Sequence, residues 1–290
     1  MPEGDAVYRF AVRVGAALTG KTITAARAQG PGPVPQVHRI IGATCTGTRA
    51  QGKNLIISFD NGLALRGHLR MYGTWHIYAP GEAWTKPARE ARLVLETEDV
   101  VVVNFSAPVI EMLEERALAF HRPIASLGPN LLDADFDTDE ALRRFRDTAI
   151  ANTTVGDAIM DQQLIAGVGN IWKHETLFRC GLNPWRCVGE LNDEALRIIV
   201  TTARNLLLAS TGQLFEQGRK VPRPSMFVYM RASLPCRKCF TRIRSAPQGR
   251  DIRSTAWCPA CQPIADGQVV QPPPSRRSPQ RVLPMPRQYG

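Results

Sequence analysis

The sequence predicts a multi-domain α+β protein with a small cysteine-stapled module near its C-terminal end. Three observations carry this. Short apolar runs punctuated by turn signals fill the first 130 residues, apolar residues at helical spacing dominate the next stretch, and four cysteines stand in two C-x-x-C pairs. A length of 290 residues agrees, at roughly 100–200 residues per domain. The expected divisions are 1–130, 131–225, 226–262 and 263–290.

In chain order, Val7, Phe10, Val14 and Leu18 recur at helical spacing and predict a helix within 1–18. Residues 54–59 and 63–65 flank Asp60, Asn61 and Gly62 and predict a hairpin closed by an Asn-Gly turn. Residues 92–97 and 100–105 predict a second pair of strands. The turn-rich segment 126–130 (SLGPN) marks the first boundary. Helices are expected over 139–150, 154–165, 171–180 and 193–210. Thr154 with Asp157 has the form of a capping box. The last helix carries a wide apolar face, including Leu196, Ile199, Val200, Ala203, Leu206 and Leu207. Short strands are expected around the cysteines over 226–262. Beyond, three consecutive prolines and four arginines predict a disordered basic tail, because little apolar surface is left to bury.

A net charge of +10 and a pI near 9.6 point to an anionic partner, nucleic acid before membrane. No run of about 18 apolar residues exists, so no transmembrane helix is expected. The N-terminus lacks a basic flank and apolar stretch, so a secretory signal is not expected and the protein is placed in the cytoplasm. A reducing compartment argues against disulfides among the seven cysteines.

Cys236 and Cys239, with Cys258 and Cys261, fall within the C-x2-C-x(15–20)-C-x2-C spacing that suits one zinc ion. Two intervening residues let both thiolates of a turn face one ion, and two such turns complete a tetrahedron. Four sulfur ligands leave no position for water, so the ion is expected to be structural, and the module is a zinc-finger hairpin; the competing reading is a redox dithiol. Cys45, Cys180 and Cys187 read as buried or idle thiols. Arg237, Lys238, Arg242, Arg244, Arg250 and Arg253 surround the finger and suit a phosphate grip.

A start of Met1, Pro2, Glu3 and Gly4, with a four-cysteine finger near the end, resembles the formamidopyrimidine-DNA glycosylase and endonuclease VIII family. Residues 51–55 (QGKNL), 162–171 (QQLIAGVGNI) and 257–262 (WCPACQ) resemble further family motifs in the family's order, so the resemblance spans 1 to about 262. It implies an N-terminal β-sandwich with flanking helices, a helical helix–two-turn–helix domain and the zinc finger. It also implies a base-excision glycosylase with strand-nicking lyase activity, acting as a monomer on double-stranded DNA with damaged bases or abasic sites.

Site residues follow from the same resemblance. Removal of Met1 exposes the Pro2 nitrogen, and an α-amino group of pKa about 7.7–8.0 is partly neutral and nucleophilic at cellular pH. Glu3 is the matching general acid/base. Lys53 is implied to contact a phosphate beside the lesion and to assist proton transfer. Asn170 and the finger's Arg253 are implied to grip phosphates flanking the damaged nucleotide. Gly167 and Gly169 would let the backbone approach another chain, and the helix that follows would offer free N–H groups to a phosphate.

Residues 67–75 (GHLRMYGTW) resemble the loop that fills the gap left by a flipped base, and Arg70, Met71 and Tyr72 are the implied wedge. The alternative places Met71 and Tyr72 in the sandwich core. Residues 104–113 (NFSAPVIEML) lack the Asp-Pro-Arg-Arg-Phe-Gly motif of the formamidopyrimidine branch, so the endonuclease VIII branch is implied, with oxidised pyrimidines as substrates and β,δ-elimination. Asp5 and Ala6 replace the usual Pro-Glu, and Arg70 replaces a familiar Gln. Two other readings stay open: a non-catalytic zinc-finger protein binding damaged or abasic DNA, and a purine-specific glycosylase.

Overall fold

A computed structural model describes residues 2–30, 33–213, 215–216, 219–220 and 224–264. The predicted tail lies outside the described residues from 265 onward. In chain order the N-terminal part holds α1 (Gly4–Leu18), β1 (Ala25–Ala28), β2 (Cys45–Gln51), β3 (Asn54–Phe59), β4 (Leu63–His68), β5 (Thr74–Tyr78), β6 (Ala91–Glu96), β7 (Val101–Phe105) and β8 (Val109–Glu114). These eight strands form two antiparallel sheets, ordered β2-β3-β4-β8 and β1-β6-β7-β5.

Strand periodicity explains the sandwich. Leu55, Ile57 and Phe59 of β3 meet Leu93 and Leu95 of β6 and Val102 of β7 in the central layer, together with Val7, Ala11, Val14 and Leu18 of α1. The intervening residues are also buried, outward from that layer. Ile56 packs with Ala64, Leu118 and Ile124, while Val101, Val103 and Phe105 pack with Tyr78 and the partly buried Trp84. Strands covered on both faces read as unbroken apolar runs, as 100–103 does.

After a one-turn helix, α2 (Arg122–Ala125), the chain enters the helical part: α3 (Thr138–Phe145), α4 (Val155–Ala158), α5 (Asn170–Arg179) and α6 (Asp193–Thr211). Their apolar faces share one core, and Tyr8 of α1 packs against it. Helix α1 therefore belongs to both cores and ties sandwich to helices. The helix expected over 154–165 is a single turn. Thr154 caps it, accepting from the Asp157 amide and donating its hydroxyl to the Asp157 carboxylate. Asp161 then turns the chain, its carboxylate accepting from the Gln163 amide. Side-chain bonds of this kind compete with the helical ladder.

Two short strands, β9 (Phe215–Glu216) and β10 (Arg219–Lys220), pair before the finger, whose hairpin is β11 (Arg244–Gln248) and β12 (Arg253–Trp257). The first cysteine pair lies in turns ahead of the hairpin rather than in strands. Val228, Ile243 and Ala256 complete the finger's small core only by packing on Phe178 of α5.

Candidate active site

The corner around Glu3 is the most tightly built polar feature near the N-terminus. Glu3 is the N-cap residue of α1, yet its side chain points at a different helix. Its carboxylate accepts from the backbone amides of Gly169 at 2.9 Å, Ile171 at 2.6 Å and Trp172 at 3.2 Å, which are the orphan donors at the start of α5. The residue is 1 % exposed. Burial pushes its carboxyl above the ordinary carboxylate value, against the pull of the Lys53 ammonium and the Ile171 and Trp172 amides.

This corrects the expected use of the two glycines and the helix start. The close approach they permit is within the chain. Gly4 donates its amide to Gly167 O at 2.9 Å, and a Cβ on Gly4 would stand 2.7 Å from Gly167 Cα. A Cβ on Gly169 would stand 2.4 Å from Glu3 Cδ. The Gly169, Ile171 and Trp172 amides at this helix start are occupied by Glu3 instead; the Asn170 amide is not among them. Pro2, half-buried, directly precedes this anchored carboxylate.

Lys53 follows Gly52, whose φ of +57° closes the turn between β2 and β3. A Cβ on Gly52 would meet Ala166 at 3.2 Å, so this turn abuts the helical part. Asn54 braces it from behind, donating to Gln51 O and accepting from the buried Arg66. Burial lowers the Lys53 ammonium to about 8, with Glu3 opposing the shift and Arg253 reinforcing it.

On the far side, Asn170 begins α5 and its amide nitrogen lies 3.4 Å from Ser254 O. Its Oδ1 is buried without a hydrogen-bond partner among the described residues. The Arg253 guanidinium is held by Asp251 at 2.7 Å, with Asp251 largely exposed. Such a surface ion pair is worth at most about 1 kcal/mol.

The predicted wedge residues stand outside the core. Leu69 is buried and Gly73 donates to its carbonyl at 2.9 Å, closing a turn from which Arg70, Met71 and Tyr72 project. Met71 is 56 % and Tyr72 74 % exposed, so their placement in the sandwich core is excluded. Arg70 has φ +50° and donates its amide to His68 Nδ1 at 3.2 Å. Between β7 and β8 only Ser106, Ala107 and the exposed Pro108 intervene, with Ala107 buried, so no second loop projects there.

The four cysteines converge, all their sulfurs lying within 4.8 Å of one another. Cys239 Sγ is 3.4 Å from both Cys258 Sγ and Cys261 Sγ, and Cys236 Sγ is 4.0 Å from Cys261 Sγ. Metal–sulfur bonds of about 2.3 Å on a tetrahedron require separations of this size. The Lys238 and Cys261 amides point at the Cys236 and Cys258 sulfurs, as thiolates require. The set can hold a metal ion.

Sequence reading missed four polar neighbours of the site. His68 pairs in register with Asn54, next to Lys53, and burial and nearby cations lower it to about 4. It is therefore neutral at cellular pH, with Nδ1 accepting. Tyr229 lies near Glu3, since burial and that carboxylate raise its phenol. Asp5 accepts from Trp172 Nε1, Ser210 Oγ and Arg9, joining α1, α5 and α6. Lys173 is fully buried in α5. One signal existed for it: residues 173–176 (KHET) interrupt a helix whose other side chains are mostly apolar.

Comparisons with known proteins agree along the chain. A family model described as the formamidopyrimidine-DNA glycosylase N-terminal domain matches residues 1–108, and one described as that enzyme's H2TH domain matches residues 127–213. A probable endonuclease 8 2 of Streptomyces coelicolor is 37 % identical over 265 residues, covering 90 % of this chain and 94 % of that protein. A DNA-(apurinic or apyrimidinic site) lyase Nei2 of Mycolicibacterium smegmatis is 34 % identical over 272 residues, covering 90 % and 99 %. Among solved structures, a formamidopyrimidine-DNA glycosylase of Lactococcus lactis bound to DNA with an abasic site superposes with a TM-score of 0.77 over 91 % of this chain and all of that one. At 19 % identity, that likeness concerns the fold.

Proposed function

The chain belongs to the formamidopyrimidine-DNA glycosylase and endonuclease VIII family, and from that premise we propose how its own residues carry the reaction. The protein is a base-excision-repair DNA glycosylase that also nicks abasic sites. Its catalytic set is Pro2, Glu3, Lys53 and Arg253. One observation carries this reading: a buried carboxyl, accepting from three backbone amides, is fixed on a helix N-terminus directly after Pro2.

With Met1 removed, the Pro2 nitrogen attacks the sugar C1′. The C1′–base bond breaks and its electron pair leaves with the base, while Glu3 supplies a proton to the ring oxygen. The nitrogen then loses its proton, and its lone pair forms the iminium with C1′ as the C1′–O4′ bond breaks and that bond's electron pair goes to the ring oxygen that Glu3 protonates. That electron sink acidifies the C2′ proton, whose loss expels the 3′ phosphate; a second proton loss expels the 5′ phosphate. Lys53, Asn170 and Arg253 hold the flanking phosphates, and Arg70, Met71 and Tyr72 fill the vacated stack. Because the wedge comes from this one turn, oxidised pyrimidines are the proposed substrates.

Cys236, Cys239, Cys258 and Cys261 hold one zinc ion, which keeps the finger folded. The division into a catalytic part (1–130), a DNA-binding helical part (131–225) and the finger (226–262) follows, with the protein working as a monomer.

Borohydride trapping on an abasic duplex tests the core of this. The mature protein is expected to form a covalent adduct that disappears when its N-terminus is acetylated or extended by a tag. An adduct of equal yield on the blocked protein removes Pro2 from the mechanism.

A further inference from the structure

Three consecutive residues of β12 meet three residues on one side of α5. Asn170 faces Ser254, Lys173 donates from Nζ to Thr255 Oγ1 at 2.6 Å, and His174 Nε2 accepts from the Ala256 amide at 2.7 Å. Positions i, i+3 and i+4 of a helix share a side, so successive strand residues step along it like rungs. Arg253 is the next residue in the strand. The rungs therefore carry it past the start of α5, toward Glu3 and Lys53. The outer rung is long at 3.4 Å, and the Oδ1 of its Asn170 is buried without a partner among the described residues. His174 accepts from a backbone amide, a bond insensitive to the identity of the strand residue. The middle rung differs: it joins two side chains, both fully buried.

A buried ammonium with a single hydroxyl partner is an expensive way to join two elements. Burial lowers Lys173 to about 8, with Asp157 opposing. The charge lies close enough to Arg253 and Glu3 for each to act on it. An apolar residue at 173 would pack against β12 without fixing which strand residue it meets. A hydrogen bond to the Thr255 hydroxyl does fix it.

We propose that Lys173, through Thr255, is a positioning residue that sets the register of the finger hairpin on α5 and so aims Arg253 at the phosphate shared with Asn170. This rests on the reading of Arg253 as a phosphate ligand, and the test separates the two. Lys173→Met, Thr255→Val, Thr255→Ser, Arg253→Ala and the double Lys173→Met/Arg253→Ala variants are compared on an abasic duplex, with thermal transition and zinc content confirming folding.

Lys173→Met and Arg253→Ala are each expected to raise KM about tenfold with kcat changed much less, and the double variant no further than the worse single one. Thr255→Val is expected to match Lys173→Met, and Thr255→Ser to restore wild-type KM. If Arg253→Ala alone changes nothing, the phosphate role of Arg253 fails. If Arg253→Ala weakens binding but Lys173→Met does not, or the two effects multiply, the positioning role fails. Should Lys173→Met not fold, Thr255→Val in the same cycle with Arg253→Ala decides it.

Discussion

The Glu3 corner and the 70–72 turn are built in opposite ways. Glu3 is buried, accepts three backbone amides and is walled in by two glycines that admit no Cβ. The 70–72 turn is anchored only at its ends, by Leu69, Gly73 and the bond from Arg70 to His68, while its apolar side chains face solvent. In the proposed mechanism the corner performs bond chemistry and must be preorganised, since its donors and charges act at full strength only when already in place. In the proposed reading the turn acts on DNA that is not there until binding, so its partners cannot be internal. On that proposal, rigidity stands where protons move and exposure where a base stack has to be completed.

Gly169→Ala is the sharpest way to break the corner. The residue has φ −126°, open to any amino acid, so the substitution acts through the 2.4 Å clash with Glu3 Cδ. Displacing that carboxyl is expected to reduce base removal by about 10²–10⁴-fold. Duplex binding should change far less. Wild-type turnover in single-turnover assays would show that the tight anchoring of Glu3 is not needed.

The turn should respond differently. Met71→Ala with Tyr72→Ala is expected to slow excision from duplex DNA by about 10–100-fold, because the flipped state loses its filler. Excision of the same lesion from a single strand should stay near wild type, with stability changed by no more than about 0.5 kcal/mol. Equal loss on both substrates would assign these residues to chemistry rather than to the stack.

Lys53 sits between the two regions and titrates. Its value of about 8 means that the ammonium is lost as pH rises through 8. Affinity for an abasic duplex is therefore expected to fall across that range, by about tenfold at most. Lys53→Arg keeps its charge there, so its binding should stay level. A limb that persists in Lys53→Arg belongs to another group. The smallest effect is expected at Asp251→Asn, which frees the Arg253 guanidinium: binding should tighten a few-fold, as loss of a surface ion pair allows. Weaker binding would mean that Asp251 orients Arg253 instead of restraining it.

Much of the architecture was legible in the residues. Short apolar runs flanking Asn61 and Gly62 located the hairpin, helical spacing located α1 and α6, and cysteine spacing located the four-thiol cluster, because each is fixed by neighbours in the chain. The 154–165 helix was overestimated, since local capping by Thr154 and Asp161 outcompeted a pattern that suited either outcome. The corner's polar neighbours were mostly invisible. Tyr229, His68 and Asp5 carry no spacing signal, and Lys173 stood out only as a charge in a helix that proves buried on every side.

By itself the sequence determined which groups are available: a proline able to become an N-terminal amine, a carboxyl beside it, a lysine on a glycine turn and four thiols at metal spacing. The fold decided their states. Only when residues about 170 apart meet does the Glu3 carboxyl find the α5 amides, and only burial in that contact raises it while lowering Lys53. Local spacing reports what a short stretch of backbone can bring together. Desolvation and the closing of one helix start by a distant side chain depend on packing between elements, which no local pattern records.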